Sequence, residues 1–285
     1  MPFIIHGATG AQGGPLYASL RRAGLDAVAA VRDVAKFPDD TAVSIDNDSV
    51  DSLISAYRGA DGVFIHLPQT SEAGRLQHAR NIVQAIETAK PKRIIISTNG
   101  AIVDQPGSAL QSSDDSAIMV LIRGVQDSGV SHAVVAPRLY LENLLLPMVF
   151  GPAQSEGVLQ YPVAADYAVS WSSHLDVAEA AHKLLVDPTV SGVVGIGHQP
   201  GLVSADLAEG FSQQFGRDIR YEALLPEAFG DLIEPMIGPA TASVVGLYKA
   251  LAYAPDNVIR QETSAQEVLG LHPMSVQQWL NAMQD

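Results

Sequence analysis

The sequence predicts an α/β protein built on a doubly wound parallel sheet. Short apolar runs alternate with longer amphipathic stretches throughout the first half of the chain. The runs are apolar at successive positions, as in strands covered on both faces. No run reaches the roughly 20 apolar residues of a membrane helix. Crossovers in such a sheet are right-handed, and its ligands sit at the carboxyl ends of the strands near the topological switch point.

The elements follow in order. Residues 3–6 read as the first strand. Leu16, Leu20 and Ala23 then recur at helical spacing, with Gly24 as the stop. Residues 27–31 are a second strand, and Val43 to Ile45 a weak third. Ser49 suits the N-cap of a helix carrying Leu53, Ile54 and Tyr57. Gly62 to Ile65 form a fourth strand. A long helix over 72–90 puts Leu76, Ala79, Val83 and Ile86 on one face, and Arg93 to Ser97 form a fifth strand. A helix at 116–127 and a strand at 132–136 close this half. After about residue 138 the rhythm changes, and Pro147, Pro152 and Pro162 interrupt the chain. Residues 204–216, 226–234, 241–252 and 275–283 read as helices. The expected division is therefore 1–138, carrying the sheet, and 139–285, a smaller and mostly helical substrate-side domain. A later strand near 193–197 is expected to return to the sheet.

Composition bounds the chemistry. With 17 basic against 31 acidic residues the formal net charge is −14, which repels a phosphate backbone and argues against a nucleic-acid partner. A sequence without cysteine has no disulfide, thiolate nucleophile or Cys-based metal site. The eight histidines show no zinc-type spacing, so no metal is expected. Met1 and Pro2 lead straight into the first strand, so no signal peptide or membrane association is expected and the location is expected to be cytoplasmic. A small-molecule substrate is the expected partner. A homo-oligomer is left open, because the helix near 241–253 carries Val244, Val245, Leu247, Tyr248 and Leu251, which suit a core or an interface equally.

The segment Gly7-Ala8-Thr9-Gly10-Ala11-Gln12-Gly13 follows the first strand and opens the first helix. Gly7 permits a tight turn, Gly10 a close approach to a pyrophosphate, and Gly13 tight packing of helix on strand. The helix N-terminus offers free N–H groups and a partial positive charge to phosphates. Pro15 in the first turn costs no hydrogen bond there. The spacing G-x-x-G-x-x-G departs from the G-x-G-x-x-G dinucleotide fingerprint, and a glycine-rich turn with no ligand is the alternative. In this context the loop predicts a Rossmann-type dinucleotide site. The second strand ends Val31-Arg32-Asp33. A guanidinium there can hold a ribose 2′-phosphate, worth about 1.5–3 kcal/mol, or roughly ten- to a hundredfold in affinity. Lys36 would add charge. NADP(H) is therefore expected over NAD(H), against the alternatives that Asp33 faces the ribose or that Arg32 is merely solvated.

These features, together with Tyr140-Leu141-Glu142-Asn143-Leu144, Ser170-Trp171, Asp176-Val177-Ala178 and Leu269-Gly270-Leu271-His272-Pro273, resemble the NmrA-like branch of atypical short-chain dehydrogenases/reductases. Among them the type-2 quinone oxidoreductases are the most similar in look. The resemblance implies that Asp46 contacts the adenine. It implies that His66-Leu67-Pro68 pass the ribose and pyrophosphate, that Ser97, Thr98 and Asn99 lie beside the nicotinamide, and that Tyr140 and Asn143 line the substrate side. The chain departs from the family where relatives carry a Lys, which is Ala117 here, and at Ala136-Pro137, where Arg-Pro is usual.

No Tyr-x-x-x-Lys pair occurs, so the usual acid for carbonyl reduction is missing. A quinone, azo or imine acceptor suits such a site, since hydride transfer is the cofactor's chemistry and the reduced anion of a quinone is internally stabilised. Tyr140 and His66 remain as weak candidates for a proton donor, against the readings of a packing aromatic and of a capping or core histidine. The acidic string Asp46, Asp48 and Asp51 reads as a solvated turn and helix start. His174 and Asp176 would need a nucleophile that the sequence does not offer. Trp171 and Trp279 read as core or interdomain residues. Two functions follow: an NADPH-dependent oxidoreductase for a quinone-like small molecule, or a non-catalytic NADP(H)-binding redox sensor acting through a protein partner.

Overall fold

The computed structural model describes residues 1–38 and 41–284. Its elements run β1 (Phe3–His6), α1 (Gly13–Arg22), β2 (Ala27–Val31), β3 (Ala42–Ser44), α2 (Val50–Tyr57), β4 (Gly62–His66), α3 (Glu72–Ala89), β5 (Arg93–Ser97), α4 (Ala117–Asp127) and β6 (Ser131–Pro137). There follow α5 (Pro147–Glu156), β7 (Val158–Tyr161), α6 (His174–Val186), β8 (Gly192–Ile196), α7 (Ser204–Phe215), β9 (Arg220–Ala223), α8 (Pro226–Ile237), α9 (Thr241–Leu251), α10 (Ala265–Leu269) and α11 (Val276–Ala282).

The sheet has seven strands in the order β3-β2-β1-β4-β5-β6-β8, all parallel. The order reverses between β1 and β4, which places the switch point above the glycine loop. The strand near 193–197 does return to the sheet, as β8 beside β6.

Successive strand residues point to opposite faces. Phe3, Ile5, Phe64, Ile95, Ala133 and Val135 pack on one face under α1, α6 and α10. Ile4, Val63, Ile65, Ile94, Ile96 and Val134 pack on the other under α2, α3 and α4. Both faces are thereby covered, which is why the strands read as continuous apolar runs. A third core lies around Trp171 and Trp279, among α5, α7, α8, α9 and α11. Both tryptophans are core residues.

Three features of the second half depart from the sequence reading. The prolines at 147 and 152 do not interrupt: Pro147 sits in the first turn of α5 and Pro152 inside it. β7 and β9 pair in parallel as a separate two-stranded sheet. The helix α6 gave no periodic signal because Val177, Ala178, Ala180, Ala181, Leu184 and Leu185 are all buried, and a stretch apolar on most sides has no polar stripe to betray it. It is held at its start by a capping box between Ser173 and Asp176.

Gly13 is where α1 meets β1. A Cβ there would lie 2.4 Å from the Gly7 carbonyl oxygen and 2.5 Å from that of His6. Both are backbone atoms and cannot swing aside. We expect Gly13→Ala to cost about 1–3 kcal/mol, the range for overpacking, as measured by urea unfolding. A change within experimental error would mean that α1 is free to shift.

Candidate functional site

The carboxyl ends of β1 to β4 open onto a cavity of about 560 Å³ lined by His6, Gly7, Thr9, Val31, Arg32, Asp46, His66 and Pro68. No side chain caps the N-terminus of α1; the Gly14 N–H donates to the Gly10 carbonyl at 2.9 Å and Pro15 has none, which leaves the N–H groups of Gln12 and Gly13 for an outside acceptor. The Asp33 carboxylate accepts from the Ala35 N–H at 3.1 Å, capping a short 3₁₀ turn. Arg32 is exposed and lines the cavity, the one arginine or lysine among its described lining residues. Lys36 is exposed on the 3₁₀ turn. The acidic string forms a local turn: Asp46 accepts from the Asp48 N–H at 2.9 Å, and Asp48 lies 3.2 Å from the His78 imidazole.

The other residues expected here are distributed by depth. Gly10 and Ala11 are exposed on the loop, whereas Gln12 and Gly13 are buried. The Leu67 side chain is in the core, so only its backbone can face a ligand. Ser97 and Thr98 are buried at the end of β5. Asn99, Tyr140 and Asn143 line a second cavity of about 240 Å³, walled by Leu146, Tyr161, Phe229, Ile233, Val244 and Tyr248. Met236 and Leu247, both exposed, form its rim. The first cavity is the more polar of the two, and the Gln12 side chain, from the loop whose Gly7 and Thr9 line the first, bonds to Asn99 and Tyr140, which line the second. The Gln12 amide nitrogen donates to the Tyr140 hydroxyl at 2.8 Å and to Asn99 Oδ1 at 3.2 Å. Ser97 Oγ donates to Gln12 Oε1 at 2.6 Å.

The sequence resemblance drew attention to motif residues whose work is now physical. Glu142 accepts from the His174 N–H at 2.9 Å, tying the segment after β6 to the start of α6. Asp176 closes the capping box and also accepts from the Met274 N–H at 3.3 Å, which anchors the C-terminal segment. It is a cap and not part of a relay. Burial raises the carboxyl pKa of both Glu142 and Asp176. Arg138 is buried beside Asp104, its Nη2 2.8 and 2.9 Å from the two carboxylate oxygens. The position expected to carry an arginine, Ala136, thus lies two residues before a buried one.

Sequence reasoning singled out His66 and His174 separately but missed His6 and the grouping of the three, each with its pKa lowered by burial. His6 is fully buried, its Nε2 2.8 Å from the Tyr57 hydroxyl, and burial aided by His66 lowers its pKa to about 4. His174 stacks on the Tyr140 ring with centroids 4.3 Å apart, and burial followed by His66 lowers it to about 4 as well. His66 is lowered by burial, with the Asn99 side chain opposing. The one available signal was His6 itself, a polar residue ending an apolar strand. Among the described residues no group of His, Cys, Asp or Glu is arranged to hold a metal ion, and no helix is long and apolar enough to cross a membrane.

The family model for the NmrA-like family matches residues 3–280. The chain belongs to the NmrA-like family. Its fold is the NAD(P)-binding, Rossmann-like one. Curated protein sequences gave no match. Among solved structures, a nucleoside-diphosphate-sugar epimerase from Staphylococcus aureus is 21% identical, with a TM-score of 0.80 and 98% and 99% of the two chains covered. An NADPH-dependent quinone oxidoreductase from Escherichia coli, complexed with NADPH, is 21% identical with a TM-score of 0.77, covering all of both chains. A triphenylmethane reductase from Citrobacter sp., complexed with NADP(H), is 16% identical with a TM-score of 0.80, covering 99% and 100%. At these identities the likeness shows a shared fold across this NmrA-like chain.

The histidine cluster has a consequence for stability. The unfolded chain binds a proton near pH 6.5 that folded His6 refuses until about pH 4. Stability present above 6.5 is therefore lost as the pH falls through that window, by about 1.4 kcal/mol per pH unit at most for each such group. The raised carboxyls of Glu142 and Asp176 act in the opposite sense, so the His6 contribution is read as a difference. Urea unfolding at pH 7 and pH 5 should show a shallower pH dependence for His6→Gln than for the wild type. Parallel slopes would show that His6 titrates normally in the fold.

Proposed function

We propose that the chain is an NADPH-dependent oxidoreductase that reduces a quinone-like, electron-poor small molecule, with azo and imine acceptors in the same mechanistic class. The observation that carries this reading is the junction. A polar cleft lies over a phosphate-type loop, and the Gln12 hydrogen bonds tie that loop to Asn99 and Tyr140, which line an apolar cavity with room for a one- or two-ring molecule. The NADPH-bound quinone oxidoreductase and the NADP(H)-bound triphenylmethane reductase of the same fold support it.

In this reading the backbone of Gly10 to Gly13 holds the pyrophosphate, and Thr9 lies beside it. Arg32 binds the 2′-phosphate, with Lys36 adding longer-range attraction. Asp33, committed to the Ala35 N–H, does not compete for the ribose. Asp46 borders the adenine, and His66 and Pro68 the ribose side. Asn99, with Ser97 and Thr98 beneath it, borders the nicotinamide. The bound cofactor supplies the hydride. The apolar wall excludes water and stacks the acceptor, and Asn143 and Tyr140 present the polar groups. Hydride plus one proton converts a quinone to its hydroquinone, and Tyr140 donates the hydrogen bond to the carbonyl oxygen where charge develops. The division of labour follows the chain, with residues 1–138 serving the cofactor and 139–285 the substrate.

Two measurements test the reading together. NADPH absorbance followed with a panel of quinones should show steady, quinone-dependent consumption. Arg32→Ala should weaken NADPH binding roughly ten- to a hundredfold while leaving NADH binding nearly unchanged. Tight NADPH binding with no consumption across the panel would sink the reductase reading in favour of an NADP(H) sensor acting through a protein partner. Equal wild-type affinities for NADPH and NADH would sink the role of Arg32.

A further inference from the structure

Gln12 occupies a position where a carboxamide has no need to be for phosphate binding, since the pyrophosphate would be met by backbone N–H groups. Its side chain is 4% exposed and turns inward from the N-cap of α1. There it makes three hydrogen bonds. The Asn99 backbone N–H, which cannot reverse, donates to Ser97 Oγ at 3.3 Å. Ser97 Oγ donates to Gln12 Oε1 at 2.6 Å. With Oε1 turned to Ser97, Nε2 faces Asn99 Oδ1 and the Tyr140 hydroxyl. The Tyr140 oxygen is thus an acceptor from Gln12, and among the described residues no acceptor takes its phenolic proton. Tyr140 borders the apolar cavity. Asn99, which starts the chain of bonds, has φ +53, a left-handed conformation that asparagine tolerates better than most residues. Its backbone N–H and its side-chain oxygen both serve this network.

We infer that Gln12 is a positioning residue: its carboxamide fixes the direction of the Tyr140 hydroxyl, so that the phenolic proton is presented to a carbonyl oxygen of the substrate in the apolar cavity. This rests on the reductase reading for turnover, but its effect on ligand binding is separate from turnover. The inference also narrows the substrate. A cavity whose offered hydrogen is a donor suits an acceptor oxygen, and it gives no advantage to an apolar or cationic ring system.

His174 on α6 stacks on Tyr140 and Glu142 acts on it, with His66 at the end of β4 reaching Asn99 and His174, and Asp176 one step further out beside Glu142. His174 is neutral above about pH 4, so a window of about pH 5–8 is quiet on its account. In Gln12→Glu an ionised carboxyl takes the Tyr140 proton, reversing the last bond, whereas the protonated carboxyl can still donate to the phenol. Gln12→Leu removes the directing group at every pH.

The test is the dissociation constant of 1,4-naphthoquinone, read from quenching of Trp171, together with kcat and KM for NADPH-driven reduction across that window. Trp171 packs 5.5 Å from the ring of Tyr161, which lines the cavity, and the chain has no cysteine for the quinone to alkylate. For Gln12→Glu at pH 8 the quinone should bind roughly five- to tenfold more weakly and kcat should fall by about tenfold or more. Both should recover as the pH falls through the introduced carboxyl's pKa, a dependence absent from the wild type and Gln12→Leu, which share the same surrounding titratable groups. Gln12→Leu should show an intermediate, pH-independent loss, and it keeps the test open where the buried carboxyl prevents folding. Wild-type values for either folded variant at pH 8, or a Gln12→Glu deficit with no pH dependence, would overturn the inference. Quinone binding that responds to Gln12 without any NADPH consumption would sink the reductase reading and leave the role of Gln12 standing. No quenching of the wild type by quinone would overturn both.

Discussion

The contact on which the rest of the molecule depends is the one between the first turn of α1 and the end of β1. With hydrogen alone at Gly13, helix and strand approach to a distance that a Cβ would close to 2.4 Å from the Gly7 carbonyl. The loop between them is therefore short and its direction set. Gly7, at φ +63, turns the chain off the strand at a backbone angle that side chains disfavour. One result is the uncapped helix N-terminus at the switch point of the sheet. The other is the inward course of Gln12, which carries the loop's reach as far as Tyr140, 128 residues further along the chain.

The acidic balance of the chain does not oppose an anionic cofactor at this place, because distance and dielectric decide which charges count. Charges spread over the surface are screened beyond about 8–10 Å at moderate salt. In the proposed reading Arg32 and the N-terminus of α1 would act at contact. Asp33 is drawn off by the Ala35 N–H, and Asp48 lies against His78. The histidines beneath the site are kept neutral by burial. Neutral imidazoles and a phenol can hold hydrogen bonds there without adding a field that would vary over physiological pH.

The second cavity is shaped by parts of the chain that are distant in sequence. Tyr161 and Tyr248 share a hydrogen bond between hydroxyl groups and pack edge-on at 5.5 Å, with Phe229 equally close to both. The polar tips of these large rings are satisfied by each other, which lets the wall be aromatic without a stranded hydroxyl. Glu142 and Asp176 bind that region to α6 and the C-terminal segment through backbone N–H groups. The motifs that mark the family are in this respect joints between the sheet and the helical half.

The sequence by itself determined the sheet and the loop. Strands buried on both faces read as unbroken apolar runs, and a glycine turn between strand and helix is a local pattern, so both survive projection onto one dimension. Its resemblance to the family singled out Asp46, His66 and Pro68, which with Arg32 line the first cavity at the strand ends. Only the tertiary structure decided what is made by contact at long range. The helix α6 was invisible because burial on most sides removes periodicity. β7 and β9 are four residues each and find one another across some sixty positions. Gln12 looked like part of a phosphate loop, and its side chain became a bridge because Ser97, Asn99 and Tyr140 arrive beside it from β5 and from the segment after β6. The direction of a hydrogen bond is a property of its partners, and no sequence pattern near residue 12 names them.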